Sequence, residues 1–190
     1  MKSKLNPARL FGRSVWNVAL IFFLVFVASF SMLPRKVDAD SQPANSLPQV
    51  QLDVRNAGPR TLESITQQNL VRHYTNAWQT LAAAFDNNAS SSLGDYFVGP
   101  AREQLAEAVA GQQKTGMHSR YLEQRHKVEV VFYAPEGDVV ELHDTLECQF
   151  QVFDGDKSIH DERAVLRYVV LMTPSADRWV VRQLQAVSQF

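Results

Sequence analysis

A single cysteine, Cys148, occurs in 190 residues, so no disulfide can close within the chain and no multi-cysteine zinc or iron–sulfur site can be built. Charge of one sign is not in excess either, because 19 Lys and Arg stand against 20 Asp and Glu for a net charge of −1. The balance is uneven along the chain. Lys2, Lys4, Arg9 and Arg13 give the first 33 residues a charge of +4 with no acid among them, which leaves −5 on the remaining 157. An acidic body of that kind is a poor partner for nucleic acid, whose binding rests on phosphate neutralisation. No two of His118, His126, His143 and His160 fall at a recognised ligand spacing, and no serine sits in a strand-to-helix elbow. Neither a metal nor another cofactor is expected.

One long apolar run is present. Ser14–Leu33 holds no charged residue, and twenty residues at ~1.5 Å each span about 30 Å, the thickness of a bilayer hydrocarbon core. The run is longer than the roughly 7 to 15 apolar residues of a secretory signal, although Val37 and Ala39 offer small residues ahead of a cut before Asp40. We therefore expect an uncleaved transmembrane anchor, with cleavage as the competing reading. The four cations before the run, against Arg35 and Lys36 offset by Asp38 and Asp40 after it, place the N-terminus in the cytoplasm. The expected organisation is a cytoplasmic N-terminus over residues 1–13, an anchor over 14–33, a disordered linker over 34–60 and one extracytoplasmic domain over 61–190. The expected location is the inner, or cell, membrane in a single pass, with the C-terminal domain periplasmic.

The linker rests on Pro34, Pro43, Pro48 and Pro59 among polar residues, too little apolar surface to offset the entropy of ordering. A minor reading makes Val50–Val54 an extended strand that binds a partner. From Thr61, a plausible N-cap, Leu62, Ile65, Leu70, Tyr74, Ala77, Trp78, Leu81 and Phe85 recur at helical spacing until Asp86–Asn88. A short turn or helix around Leu93–Phe97 follows. Gly99 and Pro100 then open a second helix with Leu105, Ala108, Val109 and Gln112 on one face and Gly116 as its stop.

Beyond Met117 the period becomes two. Val128, Val130 and Phe132 share one face of a strand that ends at the Ala134–Asp138 turn. In the next strand Val140, Leu142, Leu146, Cys148, Phe150 and Val152 alternate with Glu141, His143, Thr145, Glu147, Gln149 and Gln151, as when one sheet face is wet. Turns at Asp154–Asp156 and Thr173–Asp177 complete three hairpins, with strands from about His160 to Met172 and from Trp179 to about Ser188. The fold class is α+β, with helices packed on a curved four-stranded antiparallel meander sheet.

The long helix with Tyr74 and Trp78, the short segment with Tyr96 and Phe97, the second helix, and the long strands ending in Arg178-Trp179-Val180-Val181 resemble the nuclear-transport-factor-2-like, or cystatin-like cone, superfamily over about residues 61–190. The anchored layout is similar to two branches. One comprises the IcmL/DotI-like and VirB-like assembly proteins of type IV secretion, whose aromatic pair ahead of a helix resembles Asp95–Pro100. The other is the domain shared by chloroplast-division and mitochondrial-import membrane proteins. The resemblance implies a cone that either encloses a pocket or is filled and binds on its outside. It also implies a noncatalytic assembly module, or less often an isomerase, dehydratase or cyclase with an acid–base pair.

Asp144 carries the sharpest chemical question, since alternation places it between Leu142 and Leu146 on the apolar face. A buried carboxylate must be paired, hydrogen-bonded or neutralised. As an enzyme residue it is a general base helped by Tyr74 and Tyr168. As a structural residue it is rotated outward by a bulge or paired with Arg167 or Arg182. Cys148 reads as a small core residue, with an intermolecular disulfide or a reactive thiol as alternatives. The run Ser119–Lys127, with Arg120, Arg125, His126 and Lys127, reads as a solvated strand end, or else as a contact for anionic lipid or an acidic partner. Asn88-Ala89-Ser90 fits a glycosylation sequon. The function expected is a membrane-anchored extracytoplasmic module that contacts protein subunits, its own copies or those of a secretion or envelope complex. The alternatives are a pocket enzyme of the isomerase or dehydratase type and a carrier of a small apolar ligand.

Overall fold

The computed structural model describes residues 47–190. The expected anchor at Ser14–Leu33 lies outside them, and among the described residues no helix is long and apolar enough to cross a membrane. Five strands and two helices follow in the order β1 (Gln49–Asp53), α1 (Ser64–Asp86), a 3-10 turn (Ser91–Asp95), α2 (Gly99–Thr115), β2 (Met117–Tyr133), β3 (Val140–Asp154), β4 (Lys157–Ser175) and β5 (Arg178–Val187). The strands form one sheet in the order β1-β2-β3-β4-β5, with β1 parallel to β2 and the other neighbours antiparallel. The expected meander is thus β2–β5, and the sheet is a mixed one of five strands.

The added strand corrects the reading of residues 34–60 as linker throughout. Gln49–Asp53 runs beside Arg125–Glu129, and Val50, Leu52 and Val54 pack against the core from its margin. Ladder hydrogen bonds and half-buried apolar side chains supply what the local composition does not. Helix α1 also starts later than Thr61 suggests. Its N-cap is Glu63, which makes no side-chain capping bond and is instead paired with Arg60 at 2.6 Å. Ile65 is consequently on the outer side of the first turn, 64% exposed.

The rest of α1 follows its pattern. Leu70, Tyr74, Ala77, Trp78, Leu81, Ala84 and Phe85 form the stripe that covers the concave sheet face, and Trp78 is among the largest fully buried side chains. Helix α2 contributes Ala101, Leu105 and Val109, and ends at Gly116, whose φ of 73° is the left-handed conformation that glycine adopts without a Cβ penalty. Phe97, 2% exposed, ties the intervening segment to β5, where Val98 N donates to Val181 O and Val181 N donates to Tyr96 O.

Two register shifts in β2 decide what the sheet presents to the core. One lies between Leu122 and Arg125 and the other between Val130 and Phe132. Before the first, Ser119 and Tyr121 point inward. After it, Gln124, His126, Val128 and Val130 do, and after the second Tyr133 does. Each bulge adds one unpaired residue and so reverses the parity of the strand. Phe132, expected inside by alternation, is therefore 39% exposed.

Candidate functional site

Between α1 and the sheet three polar side chains from three elements converge. Helix α1 supplies Tyr74, on the same stripe as Leu70 and Trp78. Strand β3 supplies Asp144, flanked on its face by Leu142 and Leu146. Strand β2 supplies His126, turned inward because the Leu122–Arg125 bulge shifts its parity. Tyr74 Oη donates to Asp144 Oδ2 at 2.7 Å, and His126 Nδ1 lies 2.8 Å from the same oxygen. Asp144 and His126 are 0% and 1% exposed.

Burial, and next the neighbouring Asp144 carboxylate, push the Tyr74 phenol well above the ordinary tyrosine value, so it acts here as a donor. Asp144 Oδ2 thus meets both the Tyr74 phenol and His126 Nδ1. The outer atoms of the pair, Asp144 Oδ1 and His126 Nε2, are buried and have no hydrogen-bond partner among the described residues. Aromatic rings enclose them. Trp78 packs on His126 at 4.6 Å and on Tyr168 at 5.3 Å, and Tyr74 meets His126 edge-on at 5.8 Å.

The arrangement has the parts of an acid–base site, namely a carboxylate, an imidazole and a phenol. It lacks a way in. A cleft of about 100 Å³ is lined by Glu123, Arg125, Glu147, Cys148 and Arg163, and an open groove of about 450 Å³ by Leu52, Val71 and Arg72. Neither is lined by Tyr74, His126 or Asp144.

Several expectations are altered by this geometry. Asp144 is inside, as alternation requires, but its partner is His126 and not Arg167 or Arg182. Tyr168 lies directly across the ladder from Asp144, yet packs on Trp78 and makes no hydrogen bond to the carboxylate. Burial holds its phenol well above the usual range. His126 does not belong to a solvated strand end. The cations around it do, and they are paired: Arg120 with Asp86 at 3.0 Å, Lys127 with Glu147 at 2.7 Å and Arg125 with Glu147 at 4.0 Å. Counting back by two from Val130 and Val128 reaches His126, so the signal for its inward position was in the pattern.

The other histidines are scattered. His118 stacks on Phe153, His143 stacks on Phe190, and His160 sits 3.2 Å from Glu162. Among the described residues no group of three or more His, Cys, Asp or Glu is placed to hold a metal ion. His73, which the aromatic stripe of α1 had overshadowed, is buried three residues after Leu70 and four before Ala77, and its Nδ1 accepts the backbone N–H of Trp179 at 3.0 Å.

The sequon is engaged in structure. Asn88 Nδ2 donates to Met117 O at 2.7 Å while Asn88 Oδ1 accepts from Gln112 Nε2 at 2.9 Å, so the amide that glycosylation would need pins α1 to α2 and β2. Cys148 is 5% exposed, and burial, followed by the charge of Glu162, pushes its thiol up to about 12.

The described residues define a class: an α+β domain whose two helices fill the concave face of a curved, five-stranded mixed sheet. Several solved structures are similar to it at low sequence identity. The intermembrane-space region of the chloroplast protein ARC6 aligns with a TM-score of 0.52 and 16% identity over 68% of this chain and 98% of that one. A Streptomyces avermitilis protein of the NTF2-like family, described as a dehydratase, aligns at 0.41 and 11% identity over 63% and 96%. A cystatin-like protein from Nostoc punctiforme aligns at 0.38 and 11% identity over 67% and 95%. No family profile and no curated protein matches the chain by sequence.

Proposed function

We propose that this protein is a membrane-tethered, extracytoplasmic binding module that contacts other protein subunits, of the kind that secretion or envelope assemblies use. The observation that carries the reading is the packing around the polar centre among the described residues. Trp78, Tyr74 and Tyr168 pack where a cone-shaped pocket would open, and the polar groups beneath them have no exposed surface. A domain whose polar centre is buried in this way recognises partners by its outer surfaces. Tethering by Ser14–Leu33 confines it to the membrane face and raises the effective concentration of weak contacts. The likeness in fold to an intermembrane-space region agrees with this setting.

Pull-down of the intact protein from membranes, beside a version lacking residues 1–33, tests the reading. The intact chain is expected to retain protein partners that the shortened one loses. Equal capture by both would remove tethering from the argument.

A second reading, an isomerase or dehydratase, is supported by one observation, the Tyr74–Asp144–His126 cluster itself. It requires Trp78 or Tyr168 to move aside for the substrate. Under it, Asp144→Asn abolishes turnover of an enolisable or β-hydroxy carbonyl compound and leaves partner capture intact. A carrier of apolar ligands needs an unfilled cone and receives no support from this packing.

A further inference from the structure

Strand β1 is paired on one side only. It ends the sheet, and among the described residues nothing pairs with its outer edge. Among the devices that blunt natural edge strands, Gln49–Asp53 has short length and the charge of Asp53, which Arg55 binds, but no Lys, Pro or bulge. Beside it lies the groove of about 450 Å³ lined by Leu52, Gln67, Gln68, Val71 and Arg72. Helix α1 overhangs the strand there, so a further strand laid against β1 would place its inward side chains between Leu52 and Val71.

The charges around this ledge are unequal. Arg55 is bound by Asp53 and Arg60 by Glu63. Exposed Arg72, by contrast, bonds only to the neutral groups of Asn69 and His73, and among the described residues it has no carboxylate partner. Ile65, Gln68 and Arg72 follow one another at i, i+3 and i+7 on the same helix stripe, so an apolar and a cationic contact border one face.

We infer that this edge accepts an extended segment of another protein as a sixth strand, whose inward-facing residues are an apolar side chain followed, two positions on, by an acidic one. Successive inward residues of a strand stand about 7 Å apart, one for the Leu52–Val71 groove and the next for the Arg72 guanidinium. The strand's backbone supplies affinity, and the apolar–acidic spacing supplies selectivity. The inference names a partner chemistry for the binding reading above and rests on that reading.

The test uses the full chain in detergent micelles and a fluorescent octapeptide, Ser-Val-Thr-Val-Thr-Glu-Thr-Ser, followed by anisotropy. A peptide with Lys in place of Glu is expected to bind about tenfold more weakly, the scale of one charge-assisted hydrogen bond. Arg72→Gln should bring the two peptides together and Arg72→Glu should reverse their order, with circular dichroism melts confirming that each variant is folded. N-methylation of the two alternate sets of peptide amides should spare binding for one set and abolish it for the other, because only one set faces β1. No binding of the acidic peptide, equal binding of the acidic and basic peptides, or equal effects of the two N-methylated sets would each overturn the site. If these fail while capture still depends on residues 1–33, the site falls and the binding reading stands.

Discussion

His126 Nδ1 and Asp144 Oδ2 face each other at 2.8 Å across the β2–β3 ladder, two rungs from direct registry, with neither side chain exposed to solvent. Removing one member of such a pair strands the other, at a cost of about 3–5 kcal/mol, whereas replacing both with apolar residues spares that penalty. Asp144→Leu and His126→Leu are each expected to be strongly destabilised in urea unfolding, and the double variant is expected to be more stable than either. Additive losses would show that the two groups are not coupled. Tyr74→Phe, which removes only the donated hydrogen bond, should cost about 1.5–3 kcal/mol.

A pH dependence follows from His73. Burial lowers its pKa first of all, the nearby Arg72 and Arg178 cations lower it further, and Asp177 opposes them. The folded state therefore favours neutral His73, whose Nδ1 lone pair holds Trp179 N–H. The unfolded chain takes up a proton near the ordinary value of about 6.5 while the folded chain resists it, so this contribution is complete above that pH and declines as pH falls below it. His73→Gln keeps an acceptor and cannot titrate. The stability gap between wild type and His73→Gln, measured by thermal melts, should shrink from pH 7 toward pH 5; a constant gap would be contrary to this account.

Cys148 should be inert in the folded protein. With its thiol held near 12, almost no thiolate exists at pH 8. A maleimide or aromatic disulfide reagent is expected to label it only as fast as the domain unfolds, with full reaction in denaturant. Rapid labelling of the native protein would restore the reactive-thiol reading.

Asn88 combines a left-handed backbone, φ 51°, with two side-chain hydrogen bonds. Glycine keeps the backbone and loses the bonds; alanine loses both. Asn88→Ala should therefore be less stable than Asn88→Gly by about 1 kcal/mol. Calorimetry of the two variants decides the point.

Much of the fold was readable because its elements are long and amphipathic. The stripe from Leu70 to Phe85 and the alternation from Val140 to Cys148 needed no tertiary information, and Asp144 could be placed inside by parity alone. What escaped depended on distant partners. Strand β1 is five residues of mixed character that become a strand through β2, and Glu63 starts α1 through Arg60. The inward position of His126 follows from Val128 and Val130, but the bulge ahead of it, which brings Tyr121 to the same face from the opposite parity, is not announced by periodicity within β2. His73 was hidden differently: a polar residue on an apolar helix stripe shows its purpose only when Trp179 brings a backbone donor to it.

The irregular stretch at Leu122–Arg125 acts as a phase adjuster for everything downstream of it. An insertion or deletion of one residue is ordinarily absorbed in a loop, but here the chain's count is kept inside a seventeen-residue strand. A deletion of Glu123 would leave Tyr121 and His126 four positions apart instead of five, permitting both to stay on one face without the extra residue. A deletion at Val128 would instead send His126 or Val130 to the solvent side. Tolerance to a missing residue should therefore differ sharply between two sites only five positions apart, a property of arithmetic parity and not of how deeply either residue is buried.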